Sequence, residues 1–155
     1  MRIIQASGDH FDIVRTIVRG TIEEVYPDYY PSGAVDFFLR HHSDEAIQKA
    51  IRTGCVYLLQ VDGEYVGTGS IDGNELNRVF VLPQHQGRGY GTALLDELER
   101  MIFDCHSEIV LDASLPAFGM YLHRGYVSLE YHKHRTENGN YLCYHVMKKT
   151  KKAGE

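Results

Sequence analysis

Cysteine is scarce in this chain: three residues, Cys55, Cys105 and Cys143, an odd number set far apart. That leaves no disulfide framework and fits a reducing compartment. No apolar run approaches the roughly 18 residues of a membrane span, and the opening M-R-I-I-Q-A-S-G-D lacks the apolar core of an export signal. A cytoplasmic location is the expectation. Basic residues are outnumbered, 16 Lys and Arg against 21 Asp and Glu, for a formal net charge of -5. No basic run interleaves with aromatics in the body of the chain, so the electrostatic footprint of a nucleic-acid binder is missing. Such a charge suits a small cationic partner better. Internal repeats and low-complexity segments are also absent. What is present is 155 residues with 43% hydrophobic content, enough for one core and too little for two. The expectation is one α/β domain over 1–149 and a solvated basic tail over 150–155.

Ile3 and Ile4 suit a short strand. Ser7 or Asp9 can then cap a helix carrying Phe11, Val14, Ile17 and Val18, expected to stop near Gly20. T-I-E-E-V-Y-P-D-Y-Y-P-S-G reads as a loop, since two prolines interrupt it. Its carboxylates Glu23 and Glu24 and its tyrosines Tyr26, Tyr29 and Tyr30 could wall a pocket that attracts amines. Ala34 to Arg40 and Asp44 to Arg52 read as short helices, the second capped by Ser43 and stopped at Gly54. His41 and His42, between them, are expected to be exposed. From Cys55 the period changes to that of strands: two connections, at Asp62-Gly63 and Asp72-Gly73-Asn74, make a three-strand meander ending with Glu75 to Leu82. A helix follows, with Leu94, Leu95, Leu98, Met101 and Ile102 inward and Asp96, Glu97, Glu99 and Arg100 outward. Glu108 to Ala113 is an apolar strand parallel to the one before that helix. Ser114 and Pro116 open a short helix that Gly125 stops, and a hairpin around Asn138-Gly139 closes the chain.

The informative stretch is Gln86-Gly87-Arg88-Gly89-Tyr90-Gly91, followed by Thr92. Here a strand becomes a helix, so the first helical N–H groups point outward without partners and the helix dipole adds positive potential. Glycines let an anion reach the backbone, and Arg88 adds a full charge. A P-loop would need a Gly-Lys pair, which the chain lacks. The dinucleotide fingerprint needs G-x-G-x-x-G, whereas the spacing here is G-x-G-x-G.

Gln86, Gly89 and Gly91 match the pattern Q/R-x-x-G-x-G/A, and the stretch resembles the acyl-CoA signature of the GNAT superfamily of N-acyltransferases. The surroundings match as well: V-F-V-L-P before the turn, an amphipathic helix after it, then a strand, the helix A-F-G-M-Y-L-H-R-G-Y and a final hairpin. The resemblance is strongest from about Glu75 to Tyr126, and the order of elements extends it over nearly the whole chain. It implies a mixed, mainly antiparallel sheet flanked by helices. It also implies acetyl-CoA as co-substrate, with the pyrophosphate on backbone N–H groups from Gln86 to Gly91 and Thr92. The pantetheine arm would run along Val79, Phe80 and Val81 as an added strand. Ser114, where the family often has an Asn that contacts CoA, and Ala117 would border the same arm.

Transfer of an acetyl group to an amine needs a deprotonated amine, a polarised carbonyl and a proton for the leaving thiolate. By the resemblance, Tyr121 in A-x-x-x-Y-x-x-x-G-Y is the candidate acid, protonated at neutral pH because free Tyr titrates near ~10. Glu75, directly or through water, is the candidate base, with Glu23 and Glu24 as competitors. The acceptor would be a small amine such as a polyamine, or a peptide amine. A non-catalytic acyl-CoA-binding or regulatory module is the alternative. In the final hairpin an even-numbered turn pairs His134 with Cys143 and His132 with His145, placing four metal-ligand types on one face. Side chains rising in parallel from flat strands do not converge on a tetrahedral ion, so no metal is expected. The exposed faces of that hairpin could instead join two copies in a homodimer.

Overall fold

The computed structural model describes residues 1–154; Glu155, the end of the expected tail, lies outside them. Twelve regular elements follow in order: β1 (Arg2–Gln5), α1 (Phe11–Val25), α2 (Ser32–His41), α3 (Asp44–Arg52), β2 (Val56–Val61), β3 (Glu64–Asp72) and β4 (Glu75–Val81), then α4 (Tyr90–Phe103), β5 (Glu108–Ser114), α5 (Leu115–His123), β6 (Val127–Arg135) and β7 (Tyr141–Thr150). All strands join one sheet in the order β1-β2-β3-β4-β5-β7-β6. Only β4 and β5 pair in parallel, as the crossover helix between them requires. Helices cover both faces, so the sheet divides the one domain's core into two layers. On one side α1, α2 and α3 pack on Val56, Leu58 and Phe80; on the other α4 and α5 pack on Leu59, Val66, Leu76, Ile109 and Leu111.

α1 runs through Gly20 to Val25, past the expected stop. A mid-helix glycine costs about 1 kcal/mol. Val14, Ile17, Val18, Thr21 and Ile22 continue one buried stripe across it, and each large apolar side chain buried contributes about 2 kcal/mol. Burial therefore wins. The expected loop over Thr21 to Gly33 shrinks to a 3-10 turn, Tyr26–Asp28, and a short link into α2. Ser43 does cap α3, accepting from the Ala46 N–H at 3.2 Å.

Two hairpin turns, alike in sequence, behave differently. At Asp62-Gly63 both residues have positive φ, 51° and 87°, as a two-residue turn demands. At Asn138-Gly139 only the glycine does, so the connection is the odd-numbered loop Thr136 to Asn140, closed by Thr136 N–H on the Asn140 carbonyl at 2.7 Å. The register shifts by one: His132 pairs with Tyr144, Lys133 with Cys143 and Tyr131 with His145. A one-residue shift exchanges faces. His132 and His134 therefore point away from Cys143 and His145, which corrects the expected four-ligand face. Among the described residues no cluster of three or more His, Cys, Asp or Glu could hold a metal ion.

Glu99 is a second correction, since it is buried rather than on the outer face of α4. It accepts from Arg124 and Lys149 at 2.9 and 2.8 Å and from the Tyr126 hydroxyl at 3.1 Å. Burial pushes its carboxyl up, but those two cations outweigh burial and hold it below the usual range. At the end of the chain, Lys151 donates from its backbone to Ser107 and from Nζ to the Phe103 carbonyl.

Candidate active site between the diverging strands

Although neighbours, β4 and β5 share one rung, Glu75 opposite Val110, with Val110 N–H on the Asn74 carbonyl at 3.1 Å. Beyond that rung they part, and β5 continues its pairing with β7 as far as Ser114 and Tyr144. Two cavities open in the divergence. One, of about 390 Å³, reaches the glycine turn; the other, of about 330 Å³, lies toward Glu75. Tyr26, Val79, Phe80, Ser114 and Ala117 line both and form the neck between them.

A β-bulge shapes the β4 wall. Ile71 pairs with Leu76 and Ser70 with Asn77, but Thr68 pairs with Phe80, so one extra residue sits between them. Arg78 takes the strain, with φ at 51°. Parity then flips: Leu76 packs with the α4 core and Phe80 with the α1 core, although a regular strand would put both on one face.

On the turn side, Gly87 and Gly89 hold φ values of 74° and 82°. An added Cβ at either would meet no protein atom within 4 Å, so the space beside the backbone is open to a ligand. Gly89 is the N-cap of α4 and has no side-chain cap. The helix begins hydrogen bonding only with Ala93 N–H on the Gly89 carbonyl at 3.0 Å, which leaves the preceding N–H groups for an anion. Gln86 braces the turn by donating from Nε2 to the Val81 carbonyl at 2.9 Å. The residues present fit a pyrophosphate.

Of the residues expected to hold CoA, Val79, Phe80, Val81, Gln86, Gly87, Gly89, Gly91, Thr92, Ser114 and Ala117 line this cavity, whereas Arg88 and Tyr90 do not. Ser114 opens α5 by position, but its hydroxyl accepts from Tyr26 at 3.3 Å and does not cap the helix.

Tyr121 and Glu75 line the second cavity. Tyr121 is buried, and burial pushes its phenol well above the usual range. Glu75 is exposed at the rim. Tyr26 is at the neck and Tyr29 lines the turn side. Tyr30 is a tie-rod in the core, accepting from the Leu115 N–H at 2.7 Å and donating to the Cys143 carbonyl at 2.9 Å. Glu23 and Glu24, placed by the longer α1 on its exposed side, line neither cavity.

Several residues of the second cavity were not anticipated: Arg78, Asp112, His41, His42 and His134. His42, expected to be exposed, is buried with its ring edge on Phe80 at 5.8 Å. Burial, reinforced by His41, Arg78 and Arg19, lowers its pKa to about 3, so it is neutral. Its Nδ1 and Arg78 Nε are both buried without a hydrogen-bond partner. Two signals were available in the sequence. Arg78 stands midway between Leu76 and Phe80, and Asp112 interrupts an apolar strand.

The acetyltransferase (GNAT) domain model matches residues 25–151. A search of curated proteins returns no match. Many solved structures are similar. A GCN5-related N-acetyltransferase from Rhodopseudomonas palustris is 25% identical, with a TM-score of 0.85 over 96% of this chain and 94% of that one. The PaiA N-acetyltransferase of Thermoplasma acidophilum, solved with coenzyme A, is 17% identical, with a TM-score of 0.69 over 96% and 98%. N-acetylglutamate synthase of Neisseria gonorrhoeae, solved with coenzyme A and N-acetylglutamate, is 18% identical, with a TM-score of 0.70 over 96% of this chain and 34% of that one. With its diverging strands, its glycine turn and a family match over most of its length, the chain belongs to the GNAT acetyltransferase family.

Proposed function

We propose that this protein transfers an acetyl group from acetyl-CoA to a primary amine by direct attack within a ternary complex. The observation that carries this is the neck: two cavities, one ending on an anion cradle and the other lined by ionisable groups, meet at Val79, Phe80, Ser114 and Ala117. A binding module would need only the first cavity. The coenzyme A in the Thermoplasma relative supports an acyl-CoA donor, and the open glycine turn supports placing it in the turn-side cavity. Acetyl-CoA supplies an activated thioester. The turn from Gln86 to Gly91 and Thr92 would hold its pyrophosphate, with Arg88 contributing charge from the surface, and Val79 to Val81 would line its arm.

The amine nitrogen forms a bond to the thioester carbon, the carbon–sulfur bond breaks with its electron pair leaving on sulfur, and the ammonium proton passes to Glu75 or through water at the open rim. Backbone N–H near Phe80 would polarise the carbonyl. Tyr121 would donate to the leaving sulfur. A thiol near ~8.5 is a stronger acid than an ordinary phenol, and burial widens that gap. The donation is therefore a hydrogen bond that strengthens as charge develops, and water completes protonation. Release of free thiol from acetyl-CoA, followed against a panel of amines, amino acids and peptides, tests the assignment. Amine-dependent release is expected. Tight acetyl-CoA binding with no release for any acceptor would reject it.

A further inference from the structure

The second cavity holds a cation without a salt bridge. Arg78 forms no salt bridge among the described residues; its guanidinium makes one side-chain contact, Nη1 to Asn77 Oδ1 at 3.4 Å, and its Nε is buried and unpartnered. Beside it His42 is 8% exposed, neutral, and carries a second buried atom without a partner, Nδ1. Buried polar groups are almost always satisfied, and an orphan costs stability. Both orphans belong to residues that line one cavity, so a polar ligand bound there can complete contacts that the protein leaves unmade. The backbone agrees, because Arg78 is held at a left-handed φ in the bulge, a conformation that costs a β-carbon residue about 1 kcal/mol or more. The opposite sign is present as well: Glu75 and Asp112 line the same cavity and are solvent-exposed. The cavity is bipolar, with a half-buried cation and two exposed carboxylates.

We propose that the acceptor is an amine that also carries a carboxylate, a molecule of amino-acid type, and that Arg78 beside His42 binds this carboxylate. The proposal rests on the assignment of the second cavity to the acetyl acceptor. It disfavours a polyamine, whose extra cations would meet the Arg78 charge in a confined space. A guanidinium presents paired donors that match a carboxylate, and neutral His42 can contribute one further donor or acceptor.

The test uses the intact protein and acetyl-CoA, with thiol release measured for three series on shared carbon skeletons: free amino acids, their carboxamides and the decarboxylated amines. At least one amino acid is expected to exceed its carboxamide and its decarboxylated partner by about tenfold or more in kcat/KM, the size of a charge-assisted contact. Arg78→Asn suits the left-handed φ, since Asn tolerates that region. It should raise KM for the preferred amino acid by about tenfold, several times more than it raises KM for the matching carboxamide. Arg78→Lys should recover part of the loss, and Arg78→Gly, still easier on the backbone, should reproduce the Asn result. Carboxamides or decarboxylated amines matching the amino acids would overturn the proposal and leave acetyl transfer standing. Loss of all acceptors equally in Arg78→Asn, with the melting temperature unchanged, would also overturn it. Absence of thiol release with every amine of the three series would sink the proposal, and absence with peptides as well would sink the acetyltransferase assignment.

Discussion

Tyr121 and His42 show how far burial, reinforced by neighbouring groups, moves a residue. Both line the second cavity, and burial is the largest reason each is held in its neutral form. For Tyr121, in the proposed role of donor to the leaving sulfur, the consequence is kinetic. Tyr121→Phe keeps the ring and its edge contact with Tyr126 at 5.2 Å but removes the donor, so kcat should fall about a hundredfold with acetyl-CoA affinity unchanged. Steady-state kinetics beside a binding titration checks this, and an equal fall in affinity would point to packing instead. For His42 the consequence is a pH dependence of stability. Its folded pKa, about 3, lies below the ordinary 6.5, so the unfolded chain takes up the proton first as pH falls. Stability is full above about pH 6.5 and declines from there toward about pH 3. Urea midpoints should drop between about pH 7 and about pH 5, and the drop should be shallower in His42→Gln. No sequence pattern announces either burial. A His-His pair between two helices reads as surface until it is known that the end of α2 faces the β4 bulge.

At the scale of elements, the turn from Gln86 to Gly91 was readable because its chemistry is local: glycine spacing, the following apolar stripe and the missing cap all lie within one short stretch. Gly89→Ala should lower stability by about 1 kcal/mol, since φ at 82° is unfavourable for a residue with a β-carbon. It should also weaken acetyl-CoA binding, and calorimetry beside denaturant unfolding measures both. With no protein atom within 4 Å of the new Cβ, any loss of affinity reports on the ligand side of the backbone. The β4 bulge left one trace in L-N-R-V-F-V, the charge of Arg78 at the parity of Leu76 and Phe80, which marks a break in the strand without giving its geometry. Arg78→Gly should match or exceed the parent in melting temperature, because glycine adopts that φ freely. A lower melting temperature would mean that the side chain supports the fold. Likewise, the Asn-Gly pair in the last hairpin indicated a turn correctly but not its length, and one residue of length exchanged the faces on which its histidines and cysteine stand.

For the whole molecule, the order of strands and helices followed from periodicity, whereas the burial of Glu99 did not, because α4 alone cannot show what lies across from its third face. That carboxylate draws together α4, Arg124 at the end of α5 and Lys149 on β7. Glu99→Ala leaves those cations without their buried partner and should destabilise the protein by about 3 kcal/mol, moderated where Asp96 still holds Arg124 at 2.7 Å. Chemical denaturation is the measurement, and a change no larger than for an exposed substitution such as Glu24→Ala would show that solvent already screens the cluster.

The lone rung between Glu75 and Val110 also has a mechanical meaning. Seen that way, the protein is two leaves pinned at one end, β1 to β4 on one side and β5, β7 and β6 on the other. Phe80 belongs to the first leaf, while Tyr121 rides on α5 against the second. In the proposed reaction, the span from the backbone N–H near Phe80 to the Tyr121 hydroxyl would then be set by how far the leaves stand open, not by either leaf alone. On that proposal an acyl chain longer than acetyl would have to wedge them apart, drawing Tyr121 away from the sulfur, or else bend into the cavity assigned to the acceptor and exclude it. Chain-length selectivity is then a matter of leaf spacing as much as of any side chain at the neck.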